Sequence, residues 1–303
     1  MHADSSSEVN AEPPGPQRPT AAPAMGHSVV RGSLWMLLNT AITRGASFLA
    51  QIALGWLLSK HDFGVYALAM SVSMLAAVLR DGGVKQLLVQ RQGDYHRLIG
   101  PVFWMAFAFN TLTGIIIAGL APLLAVAYHE SQVAWLMLVI AISQPLGTPG
   151  AILATRLQID LRFREAGAIA SVSAVVRYLG AVALAWLGFG PLSFVLPLPA
   201  LALIEWGLGW WYTRERPWRA GAVVRSWWGM FGQARWVLAG TLGVAALNMG
   251  ANVVIGFLVP LNVVGVYFFA FQIVVQVGML MAANVTQVLF AALSKIADDP
   301  ERK

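Results

Sequence analysis

Apolar stretches of about twenty residues or more recur eight times along this chain, near 33–58, 64–84, 99–121, 132–155, 166–188, 192–213, 230–259 and 264–293. A helix of that length spans the hydrocarbon of a bilayer, where no backbone polar group can be left unpaired. The pattern predicts an all-α polytopic membrane protein with about eight transmembrane helices. Composition agrees, with 58% hydrophobic and only 11% charged residues, against roughly a quarter charged in a soluble domain. Buried helices of a soluble protein would not be parted by breaks that alternate between basic and neutral.

Those breaks set an orientation. Arg18, Arg31, Lys85, Arg91, Arg97, Arg156, Arg162, Arg164, Arg214, Arg216, Arg219, Arg225, Lys295, Arg302 and Lys303 fall on one side of the predicted spans, with Arg80 and Arg235 near it. The opposite connections, near 59–63, 122–131, 189–191 and 260–263, hold one cation, Lys60. The positive-inside rule then puts both termini in the cytoplasm. It also accounts for the net charge of +6 without a nucleic acid as partner. The first 27 residues are rich in Ser, Pro, Ala and Gly and have no apolar core. They read as a disordered cytoplasmic tail, taken here as 1–30, with the first span as an uncleaved targeting signal.

One segment occurs twice. At an offset of 201, Gly55, Leu57, Gly64, Val65, Tyr66 and Ala69 recur as Gly256, Leu258, Gly265, Val266, Tyr267 and Ala270, and Trp35 falls on Trp236. Both copies run apolar span, short polar break, Gly-Val-Tyr, apolar span. A duplicated membrane hairpin so far apart predicts two like lobes. The expected division is a six-helix lobe over 31–215, a basic linker over 216–229, and two helices of a second lobe over 230–303.

Polar residues inside spans mark surfaces turned away from lipid, because an arginine mid-helix costs roughly 2.5–3.5 kcal/mol to insert. The first span carries Asn39, Thr43, Ser47 and Gln51 at four-residue spacing, with Arg44 at the edge of that stripe. The seventh carries Thr241, Asn248 and Asn252, and the eighth Gln272, Gln276, Asn284 and Gln287, each set on one arc of its helix. Single residues of this kind often only bond a neighbouring helix. A whole stripe beside an arginine points to a water-filled cavity. Arg44 and Arg177 lie deep in spans with no acid one turn away, and a guanidinium fork suits phosphate. The competing role for Arg177 is an ion pair with Glu205. Arg80 and Asp81 sit near a cytoplasmic end, where snorkelling or a local pair accounts for them.

Three segments resemble one family. Leu58-Ser-Lys-His-Asp-Phe-Gly-Val-Tyr-Ala-Leu-Ala, continuing to Leu79-Arg-Asp-Gly-Gly-Val-Lys-Gln-Leu-Leu-Val-Gln, is similar to the first hairpin of bacterial oligosaccharide and polysaccharide flippases of the multidrug/oligosaccharidyl-lipid/polysaccharide exporter superfamily. Leu157-Gln-Ile-Asp-Leu-Arg-Phe-Arg-Glu-Ala resembles the basic loop between their fourth and fifth spans. Phe290-Ala-Ala-Leu-Ser-Lys-Ile-Ala-Asp-Asp-Pro-Glu-Arg resembles the segment after their eighth, with Ala291 where the family usually has proline.

The resemblance implies two six-helix lobes around a cavity that opens alternately to each face. It implies translocation of an undecaprenyl-pyrophosphate-linked oligosaccharide across the bacterial inner membrane, for O-antigen, capsule or exopolysaccharide synthesis. The polysaccharide polymerase and export machinery would be its working partners. By analogy with lipid II flippases, Arg44 and then Arg177 are the expected pyrophosphate ligands. Asn39, Thr43, Ser47, Gln51, Asn248, Asn252, Gln272 and Gln276 are the expected polar lining. Relative to that family the chain reads as C-terminally truncated, a fragment, or half of an assembly.

Two other classes remain in view. A membrane polymerase or glycosyltransferase acting on lipid-linked sugars needs acids or bases gathered on a sizeable loop, and the longest outer connection expected, 122–131, offers His129 and Glu130. A drug exporter of the same superfamily would need a buried acid, for which Glu205 is the candidate. No catalytic residue, cofactor or metal ligand is predicted. The chain has no cysteine, and His2, His27, His61, His96 and His129 all fall in tails or loops.

Overall fold

A computed structural model of the chain describes residues 43–77, 95–160, 162–219 and 258–276, together with 221, 240, 243–244, 254–255 and 278. Seven helices lie in these segments: α1 over 43–57, α2 Lys60–Ala77, α3 Tyr95–Ala127, α4 Ser131–Ile159, α5 Phe163–Trp186, α6 Pro197–Thr213 and α7 Leu261–Gln276. Short 3₁₀ turns cover Gly190–Phe194 and Pro217–Arg219. There is no strand among the described residues. Four stretches, Leu98–Ala127, Ser131–Ile159, Phe163–Trp186 and Gly190–Thr213, are long and apolar enough to cross a bilayer. The protein is an all-α polytopic membrane protein.

Helix ends follow local chemistry. Ser59 and Asp62 cap α2 reciprocally: the Ser59 amide donates to Asp62 Oδ2 at 2.9 Å and the Asp62 amide to Ser59 Oγ at 3.2 Å. At the end of α3, His129 takes a left-handed conformation (φ 51°), and the His129 and Glu130 amides donate to the Val126 and Ala125 carbonyls. Gly188 (φ 84°) closes α5 in the same way. Pro197, at the first position of α6, needs no amide partner there.

The structure moves several expected boundaries. The third span extends past Pro122 to Ala127, because in an apolar setting the helix is the only economical way to satisfy the flanking backbone. The expected outer connection 122–131 thereby shrinks to residues 128–130. The sixth span opens with a 3₁₀ turn carrying Pro191, and its α-helix starts only at Pro197.

The core sits between α2, α3, α4 and α7. Val65, Leu68, Ile117, Leu136, Met137 and Val264 are all fully buried there. Gly150 and Gly209 let α4 and α6 approach closely, since a Cβ on Gly150 would meet Glu205 Cβ at 2.9 Å and one on Gly209 would meet Leu153 Cβ at 2.9 Å. The outward faces remain apolar. Trp56, Trp135 and Trp186 are 88%, 63% and 77% exposed, all within about a turn of the same end of their helices, as an interfacial aromatic belt requires. Arg156, Arg162, Arg214, Arg216 and Arg219 gather at the opposite, basic end.

The two copies of the repeat meet. A Cβ added to Gly64 would overlap the Leu261 carbonyl oxygen, and one added to Gly265 would overlap the Lys60 carbonyl oxygen and lie 2.8 Å from the Gly64 amide nitrogen. Lys60 and Leu261, like Gly64 and Gly265, are separated by the repeat offset of 201. The contact is therefore reciprocal, in the manner of an interface about a two-fold axis.

Candidate functional site

Beneath this crossing, α1, α2, α5 and α7 line a partly open cavity of about 170 Å³. Its polar wall is built from Ser47 and Gln51 of α1, Tyr66 of α2, Arg177 and Tyr178 of α5, and Gln272 and Gln276 of α7. Four-residue spacing puts Ser47 with Gln51, and Gln272 with Gln276, on single helix faces. The tertiary fold turns both faces to one space. Gln276 Nε2 donates to Ser47 Oγ at 3.0 Å across that space.

Arg177 is the one ionised side chain in this lining among the described residues. Its guanidinium faces the Tyr66 hydroxyl, a hydrogen-bonding partner without charge. No carboxylate among the described residues pairs with it. Glu205 lies instead with its Cβ against Gly150 on α4, so the alternative Arg177–Glu205 ion pair is absent. Arg177 is itself exposed, and a guanidinium set in a span beside hydroxyls and amides with no acid partner offers an anion its fork of donors.

Aromatic rings close the cavity on the side away from the basic end. Tyr66 stacks on Phe194 with centroids 4.0 Å apart and meets Phe268 edge-on at 5.7 Å. Phe63 packs edge-on against Phe194 at 5.3 Å and Phe269 at 5.0 Å. Such edge and offset contacts are the favoured aromatic geometries. Phe269 also fills the space over Gly55, where a Cβ would meet its Cζ at 2.9 Å.

The structure thus brings together Ser47, Gln51, Arg177, Gln272 and Gln276 of the expected site. Thr43 and Arg44 lie at the start of the described part of α1, outside the lining, and Arg44 is exposed. Asn39, Asn248 and Asn252 lie outside the described residues, as do Arg80, Asp81, Thr241, Asn284 and Gln287. Sequence reasoning missed Tyr66, Tyr178, Phe194 and Phe268. Tyr66 was visible as a member of the repeat, but its counterpart Tyr267 is 40% exposed while Tyr66 is 8% exposed. The motif alone could not assign it to a cavity.

Comparison with known proteins points one way. The family model described as "Polysaccharide biosynthesis protein" matches residues 53–303. The chain is 27% identical over 178 residues to the succinoglycan biosynthesis transport protein ExoT of Rhizobium meliloti (strain 1021), covering 59% of this chain and 36% of that one. It is 22% identical over 291 residues to the lipopolysaccharide biosynthesis protein WzxC of Escherichia coli (strain K12), covering 92% and 57%. It is 22% identical over 278 residues to the teichuronic acid biosynthesis protein TuaB of Bacillus subtilis (strain 168), covering 90% and 57%. The chain spans no more than 57% of the length of these relatives. No solved structure matches it.

Proposed function

Since the chain belongs to the polysaccharide biosynthesis protein family, we propose that it carries a polyprenyl-pyrophosphate-linked oligosaccharide across the bacterial cytoplasmic membrane by alternating access. The observation that carries this reading is Arg177: a lone guanidinium in a cavity otherwise lined by hydroxyls, amides and aromatic rings. The guanidinium would offset desolvation of the pyrophosphate, and Ser47, Gln51, Gln272 and Gln276 would exchange water for sugar hydroxyls. The polyprenyl tail would stay in the bilayer. The transport named for ExoT supports a role as transporter rather than enzyme.

The basic end faces the cytoplasm in this reading, as the positive-inside rule requires. The aromatic cluster then closes the cavity toward the outer face. Arg44 lies three residues, about 4.5 Å along α1, from Ser47 toward the basic end. We assign it the first contact with a pyrophosphate arriving from the cytoplasm. The expected lobes, 31–215 and 230–303, would move against each other across the Gly64–Gly265 crossing. A cavity of about 170 Å³ resembles those that hold one benzene-sized molecule. It has room for a single phosphate or sugar ring, so an oligosaccharide could enter only once the helices separate.

The test is Arg177→Ala in a strain that depends on this protein, with translocated lipid-linked oligosaccharide and protein level both measured. Loss of one charge-assisted contact of about 1.5–3 kcal/mol lowers translocation at least tenfold at unchanged protein level. Normal translocation would remove the basis of the assignment.

A further inference from the structure

A second pocket lies at the basic end, away from the cavity, and we propose that it binds the head group of an anionic phospholipid. α6 ends at Thr213, Arg214 takes a left-handed conformation (φ 56°), and the chain folds back into the Pro217–Arg219 turn. That reversal sets Trp218 edge-on against Trp206 with centroids 5.6 Å apart and near Phe103 at 6.5 Å. Between the turn and the helix is a pocket of about 360 Å³, walled by Leu203, Trp206 and Gly207 on α6 and by Arg216, Trp218 and Arg219 beyond it. A Cβ on Gly207 would meet nothing within 4 Å, so the groove along the helix is open.

The chemistry of the walls selects the occupant. α6 is a spanning helix, and its exposed Leu203 and Trp211 face hydrocarbon. Arg216 and Arg219 stand where that apolar face ends, and both are exposed. Arg216 lies 5.5 Å from the Trp210 ring centroid, which holds the guanidinium at the pocket without neutralising it. Glu215, the adjacent acid, is engaged by Arg156 at 3.3 Å. Neither Arg216 nor Arg219 has a carboxylate partner among the described residues. A ligand that fits must carry hydrocarbon and a negative charge within a few ångströms of each other, at the level of the membrane surface. An anionic phospholipid has that form, its phosphate between the arginines and an acyl chain along Leu203 and Gly207. Held there, it would bind the start of the inter-lobe linker to α6 and α3.

The test is native mass spectrometry of the full 303-residue chain in detergent with equal amounts of phosphatidylglycerol and phosphatidylcholine of the same acyl chains. The expected result is a phosphatidylglycerol preference that falls about tenfold or more in R216Q/R219Q, at roughly fivefold per arginine, with phosphatidylcholine binding unchanged. R216K/R219K keeps most of the preference, and Gly207→Phe, which fills the groove but keeps both charges, loses it. An unchanged preference in R216Q/R219Q overturns the proposal. So does displacement of phosphatidylglycerol by millimolar inorganic phosphate, which would make the pocket a site for soluble anions. A thermal transition in the same detergent shows that each variant is folded. None of these readouts depends on transport.

Discussion

Gln276 Nε2 donates a hydrogen bond to Ser47 Oγ at 3.0 Å, joining residues 229 apart in the chain. Ser47 belongs to the polar stripe of α1 and Gln276 to that of α7, so the bond registers the two faces that form the cavity wall. Interhelical bonds of this kind in membranes average about 0.6 kcal/mol. A double-mutant cycle of Ser47→Ala and Gln276→Leu, read by denaturant unfolding in micelles, is predicted to give a coupling of about that size. Simple additivity would mean that the pair adds nothing across the cavity.

The two span arginines should differ in rank. Arg177 lines the cavity and Arg44 does not, although both are exposed, so Arg177→Ala should lower translocation at least tenfold and Arg44→Ala by only about threefold, the difference reflecting a charge-assisted bond to a bound anion against a passing contact on its way in. Arg177→Lys, which keeps the charge but loses the planar fork, should fall between wild type and Arg177→Ala. A greater loss in Arg44→Ala would place the anion site nearer the basic end.

The glycine crossing makes a prediction about stability. Gly265→Ala sets a methyl group against backbone, which cannot move aside as a side-chain tip can. Destabilisation of about 1–3 kcal/mol is expected, read as a lower unfolding midpoint in detergent. Gly119→Ala is the control, because nothing lies within 4 Å of its Cβ. It should be neutral or slightly stabilising, as Ala exceeds Gly in helix propensity by about 1 kcal/mol. Equal effects at the two sites would contradict the close approach.

At the basic end, Arg156 pairs with Asp160 at 2.9 Å and Glu215 at 3.3 Å, so one guanidinium spans α4 and the chain after α6. Arg162 reaches Glu165 at 3.2 Å and donates to the Tyr212 carbonyl at 3.2 Å. Partly exposed pairs contribute little individually, about 0.2–1 kcal/mol. Arg156→Ala is expected to cost about 1 kcal/mol, an effect that shrinks in high salt. The neighbouring exposed Arg164→Ala should cost less than half of that. Thermal scans at low and high ionic strength separate the two.

Span length and four-residue polar spacing made much of this protein legible in its sequence, because a bilayer enforces both. Periodicity points Ser47 with Gln51, and Gln272 with Gln276, toward a cavity, and the structure places all four in the lining of one pocket. Periodicity could not tell that Arg177 lines the cavity and Arg44 does not, since which helix faces which is a tertiary matter. Tyr66, Tyr178, Phe194 and Phe268 escaped notice because aromatic side chains read equally as core, belt or cavity. The break at Gly190–Phe194 was hidden by an apolar run whose prolines mark a turn only once α5 has ended at Trp186.

Gly64 lies four residues into α2 and Gly265 four residues into α7, both near the ends of these helices remote from the basic side. From Gly64 to Ala77 the helix runs about 20 Å further. Any rocking of one repeat against the other that keeps the backbone contact must turn about this fulcrum. A small rotation there would leave the aromatic side nearly still and swing the basic ends through a wide arc. If the repeats rock as proposed, the paired glycines would set the leverage: a given rotation would open the mouth nearer the arginines more widely than the aromatic side.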